Sequence, residues 1–465
     1  MAVIMAVLLK GFIIEAFRIP TGSMQPTLIG SDAMEVYDRI LVDKLSFAFR
    51  DPERFEVVVF RYPLDRSKTF VKRIAGIGPE QFRIHHGDLW HRTDEGESWS
   101  VLRRPRDAQA SAWLDVEPFE FDRPAWNMDG EGSWDLTGDG IRADGPGRAV
   151  WRPELGSILD RYWDGYSPDL LSLLERRRER GALHGVGDLR LEAEVEARRE
   201  TEEVVLELIE NDLTYRFHLP GPAASTQARV QIEIIAEPGR IDPIPEGVTL
   251  QDPWRLPAGE AVAVVVQNMD DLVEMQIEGE WLLSTEIAEV ATVRAGAAVS
   301  IAGAGAKVRG LRLFRDIYYS NATSHQNQWT IPEGSYFFLG DNTQFSSDSR
   351  EWSYERYRVA ADLIKGYGPD HPAVELVDEV PMATLRANAR RGENPLPYGF
   401  GLPDGSRIQL RDEWGELHDL NSDSVRRLTP ENSPFVPREL ILGRAVAVFW
   451  PLNPRRGIYR HGWIR

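Results

Sequence analysis

The chain has 465 residues, 42% hydrophobic and 27% charged, a globular composition too long for one compact domain. Its formal net charge of −19 argues against a nucleic-acid-binding surface, which would be basic. It has no cysteine, so disulfides and thiolate metal sites are excluded, while the redox compartment stays open.

Residues 2–17, AVIMAVLLKGFIIEAF, form the membrane-like segment. As a helix they would reach ~24 Å, less than a hydrocarbon core of ~30 Å. Lys10 and Glu15 shorten the clean apolar run. No A-x-A-like site follows closely, so a cleaved signal peptide fits poorly. The expectation is a membrane anchor over residues 1–18, short enough to be truncated, with residues 12–19 at the interface. A buried amphipathic helix is the competing reading.

Residues 19–28, IPTGSMQPTL, follow directly. Pro20 and Pro26 fix φ and remove two donors, so neither a regular helix nor a central strand runs through. Gly22 permits a sharp turn beside Ser23. The segment predicts a stiff, exposed turn presenting a hydroxyl near a membrane. Read alone, it is equally a linker leaving an anchor.

Residues 38–84 turn to strands. RILVDKLSF, FEVVVFRYP and TFVKRIAGIG are β-branched and aromatic runs broken by turns, and FEVVVF predicts a strand buried on much of both faces. Lys72 lies inside the third run. Its ordinary reading is an outward, snorkelling lysine. The sharper reading is a lysine kept neutral by burial, able to accept a proton. His85 and His86 are expected to face opposite sides of a strand, as surface residues rather than a metal pair.

Residues 93–320 are acidic and rich in short alternating runs such as DLRLEAEVEA and EVVLELIE. Regular short strands with Pro, Gly and Asp turns predict a jelly-roll-like β-sandwich. Residues 170–180, LLSLLERRRER, read as a helix. Asp129, Asp135, Asp270 and Asp271 lack EF-hand spacing and read as solvated turn carboxylates. In residues 331–352, a strand, YFFLG, leads into a polar turn holding Asp341, Asn342, Ser346, Ser347, Asp348, Ser349 and Arg350. Asp348 and Arg350 can pair across that turn. Residues 353–433 are a smaller insertion with a candidate hairpin, RIQLRDEWGELHDL.

Together IPTGSMQPTL, DRILVDKL, FVKRIAGIGPE, GDNTQFSSDSREW and FVPRELILGRA resemble, in order, the conserved boxes of bacterial type I signal peptidases. The large insertion is similar to those of planctomycete-type members. The resemblance implies an all-β catalytic domain with an N-terminal membrane helix and an inserted jelly-roll-like β-sandwich. Residues 19–92, 321–352 and 434–465 would form the catalytic domain. It implies a Ser/Lys endopeptidase removing signal peptides after small residues at −1 and −3. Ser23 would be the nucleophile and Lys72 the general base. Thr21 and the Ser23 N–H would form the oxyanion hole, with Thr a mild departure from the more usual Ser. Ser346 would orient the lysine, with Gly340, Asp341, Asn342, Asp348 and Arg350 bracing the site. Ile19, Phe70 and Val71 would line the substrate pocket. The resemblance implies no metal and no cofactor. Its partners would be the signal peptides of secreted preproteins and membrane lipid, with no nucleic acid; the inserted domain's partner stays open. The location implied is the bacterial inner membrane, single-pass, with the catalytic domain extracytoplasmic. The alternative function is a surface-binding module, for carbohydrate or protein, carrying an inert protease core.

Overall fold

The computed structural model describes residues 14–116, 126–137, 140–151, 156–166, 170–171, 182–237, 247–250, 253–320, 326–368, 370–388, 407–449 and 461–464. It is mainly β, as the sequence predicts, and divides into two compact units. The first comprises residues 1–84, 89–100 and 321–465, the second residues 85–88 and 101–320.

The first unit is built on an antiparallel sheet. Its order is Ile14–Arg18, Arg39–Asp43, Ile441–Val448, Val57–Tyr62, Asp65–Ile77, Ser335–Leu339 and Phe435–Pro437, with Gly462–Trp463 paired to Ile441–Val448. The run VVVFRY covers both faces, because successive side chains alternate. Val57 and Val59 enter one core with Ile19, Met24, Leu28 and Val42. Val58, Phe60 and Tyr62 enter another with Phe338 and Trp352. Phe60 and Phe338 stack at 4.3 Å. Residues 353–433 belong to this unit and hold their own core, including Val359, Leu385, Leu410 and Leu420. The anticipated hairpin forms there, with Arg407–Arg411 paired to Leu417–Asn421.

The N-terminal run departs from expectation. Ile14–Arg18 is not helical but a strand, in register with Arg39–Asp43 from Ile14 opposite Asp43 to Arg18 opposite Arg39. Short apolar runs fit helix and strand alike, and here an available sheet edge decides. Residues 1–13 lie outside the described residues. Among the described residues no helix is long and apolar enough to cross a membrane.

The second unit is a two-sheet sandwich. One sheet runs Trp134–Thr137, Gly140–Ala143, Ala306–Arg315, Leu189–Ala197, Ala261–Met269, Leu272–Ile277 and Glu280–Glu286. The other runs Trp126–Gly130, Gly147–Trp151, Ala295–Gly303, Thr201–Glu210, Leu213–Pro220, Gln231–Ala236 and Val248–Thr249. Leu189, Leu191, Ala193, Val195 and Ala197 point into the shared core, while the intervening Arg190, Glu192, Glu194 and Glu196 are not buried. Each fully buried Leu or Val contributes roughly 1.5–3 kcal/mol. The anticipated helix over residues 170–180 lies outside the described residues except for its first two.

Two expectations fail in this unit. Asp270 and Asp271 are not solvated: they are 5% and 9% exposed. Both have positive φ, 51° and 59°, the backbone of a tight two-residue hairpin turn. The turn lies against buried carboxylates instead of water. His85 and His86 do not face opposite ways; His86 has φ 50° and their rings stack at 3.9 Å.

Candidate active site

The serine loop leaves the edge strand Ile14–Arg18 and is tied back immediately. Ile19 N–H donates to the Asp38 carbonyl at 3.0 Å, and Ile29 N–H donates to the Asp38 carboxylate at 2.7 Å. Between these ties, Gln25 N–H donates to Gly22 O and Leu28 N–H to Met24 O. Met24 and Leu28 are buried, at 1% and 0% exposure. Their burial turns Ser23, which is half-buried, away from that core. Thr21 is exposed. Gly30 closes the loop where a Cβ would lie 2.4 Å from the Ile19 carbonyl oxygen.

Lys72 sits in the strand Asp65–Ile77, opposite Val58. It is 3% exposed, so the snorkelling reading does not hold. Its Nζ lies 2.5 Å from Ser23 Oγ, 3.3 Å from Val71 O and 5.7 Å from the centre of the Phe70 ring. Serine and lysine, 49 residues apart in the chain, are thus in hydrogen-bond contact.

The loop after Ser335–Leu339 clamps the serine turn. Asn342 donates from Nδ2 to Gly22 O at 2.9 Å and from its backbone N–H to Ser23 O at 3.3 Å. Gly340 has no room for a side chain: a Cβ would meet Ser346 Oγ at 2.0 Å and Ser23 O at 2.4 Å. The Ser346 hydroxyl is buried and makes no hydrogen bond among the described residues, to Lys72 or to any other group. Asp348 and Arg350 form a bidentate pair, at 2.8 and 2.7 Å. Gly340 N–H also donates to Asp348, at 3.0 Å. Burial alone would raise the Asp348 carboxyl's pKa, but the Arg350 guanidinium and these hydrogen bonds hold it below the ordinary range. Ser349 fixes the loop to its strand, accepting from Phe338 N–H at 2.9 Å.

Asp341 carries a connection that the sequence did not reveal. Its carboxylate takes both Arg73 Nε, at 2.8 Å, and Nη2, at 2.7 Å, and accepts from Thr27 Oγ1 at 2.5 Å. Arg73 also donates to Phe55 O at 2.7 Å. One carboxylate therefore joins the serine loop, the lysine strand and the bracing loop. Two adjacent basic residues in an apolar strand were the available signal, since neighbours on a strand face opposite ways and each needs its own partner.

The three pocket candidates separate. Ile19 and Val71 pack on one core, whereas Phe70 packs on the other, stacked on Tyr62 at 4.2 Å. No metal-ligand cluster lies at this site among the described residues.

The chain matches the family model of signal peptidase, peptidase S26, over residues 1–109 and 307–366. A probable signal peptidase I-2 of Synechocystis is 39% identical over 95 residues, 19% of this chain and 40% of that protein. Signal peptidase I of Pseudomonas fluorescens is 41% identical over 81 residues, 15% of this chain and 26% of that protein. The alignments thus span less than half the length of these relatives. Among solved structures, the exoplasmic/lumenal domain of VIP36 aligns with 47% of this chain and 99% of its own, at TM-score 0.29 and 10% identity. Carbohydrate-binding module CBM66 of Bacillus subtilis aligns with 42% of this chain and 99% of its own, at TM-score 0.25 and 9% identity. Likenesses this low carry no functional weight. The residues holding Ser23, Lys72 and the loop from Gly340 to Arg350 all lie in the family match, and over these stretches the chain is similar to the bacterial type I signal peptidases.

Proposed function

We propose that this chain is a signal-peptide endopeptidase working through a Ser23/Lys72 dyad. The observation that carries the reading is the 2.5 Å contact between a buried lysine amine and a serine hydroxyl on a clamped turn. To act as the base, Lys72 must present the neutral amine, the form able to take a proton. Ser23 Oγ attacks the scissile carbonyl while Lys72 accepts its proton, then returns it to the leaving amine. Water hydrolyses the resulting ester, with Lys72 again the base. The developing oxyanion is held by the Ser23 N–H and the Thr21 hydroxyl, a kind of donor worth ~2.7–4 kcal/mol in the transition state. Asn342 supports this role by occupying the carbonyls of Gly22 and Ser23 and fixing the turn. Ile19 and Val71 line the subsite for small residues at −1 and −3, and Phe70 packs behind the lysine. The buried Ser346 hydroxyl, which makes no hydrogen bond among the described residues, is the group left to orient the lysine.

The substrates are the signal peptides of secreted preproteins, met at the extracytoplasmic face of the inner membrane. An intact dyad and two satisfied bracing carboxylates favour catalysis over an inert core bearing a binding module. The test is incubation of the purified chain with a preprotein carrying an A-x-A site, read by mass spectrometry. A single cut after that site, absent in Ser23→Ala, is expected. An uncut substrate, or equal cutting by Ser23→Ala, overturns the assignment.

A further inference from the structure

The second unit holds a side-chain group that peptide hydrolysis does not use. His85 Nε2 and His86 Nδ1 lie 3.3 and 3.1 Å from the same oxygen, Glu289 Oε1. That oxygen is buried and has no hydrogen-bond partner, so neither ring aims an N–H at it. The three donor atoms all lie within 4.8 Å of one another. The arrangement is built by the backbone. His86 and Gly87 form the turn between Glu80–His85 and Asp88–Arg92, with φ 50° and 100°. This brings two consecutive imidazoles to one side, where an extended strand would separate them. Gly87 is fixed by Tyr318, whose ring a Cβ would strike at 2.3 Å.

We propose that His85, His86 and Glu289 form a binding site for a divalent transition-metal ion of the zinc class. Two imidazoles and one carboxylate are a recurrent zinc ligand set. Bonds of ~2.0–2.1 Å at the tetrahedral angle set neighbouring ligand atoms ~3.3 Å apart, close to the two nitrogen–oxygen separations seen here. The two rings stack at 3.9 Å with their planes 25° apart, so one imidazole must rotate for both in-plane lone pairs to meet the ion. Side-chain exposures of 35%, 38% and 24% leave the fourth position to water. Asp271, which feels the Glu289 charge, adds to an acidic surrounding that attracts a cation. The competing reading is a stacked histidine pair beside a carboxylate, with no ion bound.

The test uses the full-length chain and Zn²⁺ alone, with affinity read by competition against a chromophoric chelator. Co²⁺ in place of zinc gives a d–d spectrum reporting coordination number. One ion per chain in this site is expected, with a four-coordinate Co²⁺ spectrum. Affinity should fall at least ~10-fold in His86→Ala and in the isosteric Glu289→Gln, with both variants folded by near-UV circular dichroism. Binding should weaken on acidification, because the imidazoles must be neutral. Absent zinc binding, or equal affinity in wild type and a folded Glu289→Gln, overturns the site. Cleavage by the Ser23/Lys72 site is a separate readout.

Discussion

The two units bury carboxylates in opposite ways. In the first, Asp341 and Asp348 are 3% and 0% exposed, and each meets an arginine with two hydrogen bonds. In the second, Asp88, Asp188 and Asp270 bring carboxylates within 4.8 Å of one another. Burial and neighbouring carboxylates push Asp88 and Asp188 well above the ordinary carboxylate range, and burial followed by the Asp316 charge pushes Asp270 up to about 7. Asp271 is also raised to about 7, by burial and then by Glu210 and Glu289. Paired carboxylates stay charged and set geometry over a broad pH range. Clustered ones hold protons and make the fold answer to pH. The first unit uses the first device around the proposed nucleophile, Ser23, where preorganisation within fractions of an ångström is worth rate.

The contrast breaks first at the dyad. Lys72→Met should abolish cleavage, and the Ser23→Ala/Lys72→Met double variant should be no worse than either single one, since residues acting as a unit are non-additive. Single-turnover assays decide it; an active Lys72→Arg would remove the base assignment, because guanidinium does not deprotonate in proteins. Gly340→Ala should cost about 100-fold in rate, since its methyl must displace Ser346 or the Ser23 backbone. Folding should survive, so a normal melting curve beside a large loss of kcat is the expected pair of results. Asp348→Asn should lower stability by ~3–5 kcal/mol, because it leaves the Arg350 cation buried without its counter-charge. Chemical denaturation of the first unit, followed by hydrogen exchange, would show a negligible change if the pair were dispensable.

The smallest effect is the most selective. A carboxylate with a raised folded-state pKa contributes stability that is full below its unfolded value, ~3.9, and is lost as pH rises through the folded value. For Asp270 and Asp271 that window runs from ~4 to about 7. Asp348, held low, contributes stability present above ~3.9 and lost as pH falls through its folded value. Hydrogen exchange should therefore show the second unit loosening between pH 4 and 7 and the first unit loosening only in acid. Asp270→Asn keeps a side chain suited to positive φ and removes one repelling charge. It should raise the second unit's melting temperature at pH 8 by ~2–4 °C if it recovers about 1 kcal/mol. An unchanged pH profile in this variant would count against the cluster as the source.

The sequence by itself singled out Ser23 and Lys72 as the candidate nucleophile and base, through the motifs that carry the resemblance, and the Asp348–Arg350 pair, whose two-residue spacing already limits its geometry. It also determined the mainly β fold and the sandwich pattern, since alternation in runs such as LRLEAEVEA specifies a half-buried strand. Tertiary structure decided the rest. Ile14–Arg18 became a strand because Arg39–Asp43 offered an edge. Asp341 found Arg73 across 268 residues. Asp270 and Asp271 read as ordinary turn residues, and their burial depended on what the rest of the sandwich placed over that turn. His85 and His86 took one side because a positive φ overrode strand alternation. Local spacing fixes which groups neighbours can present, but desolvation and charge pairing depend on chain segments brought together only by folding.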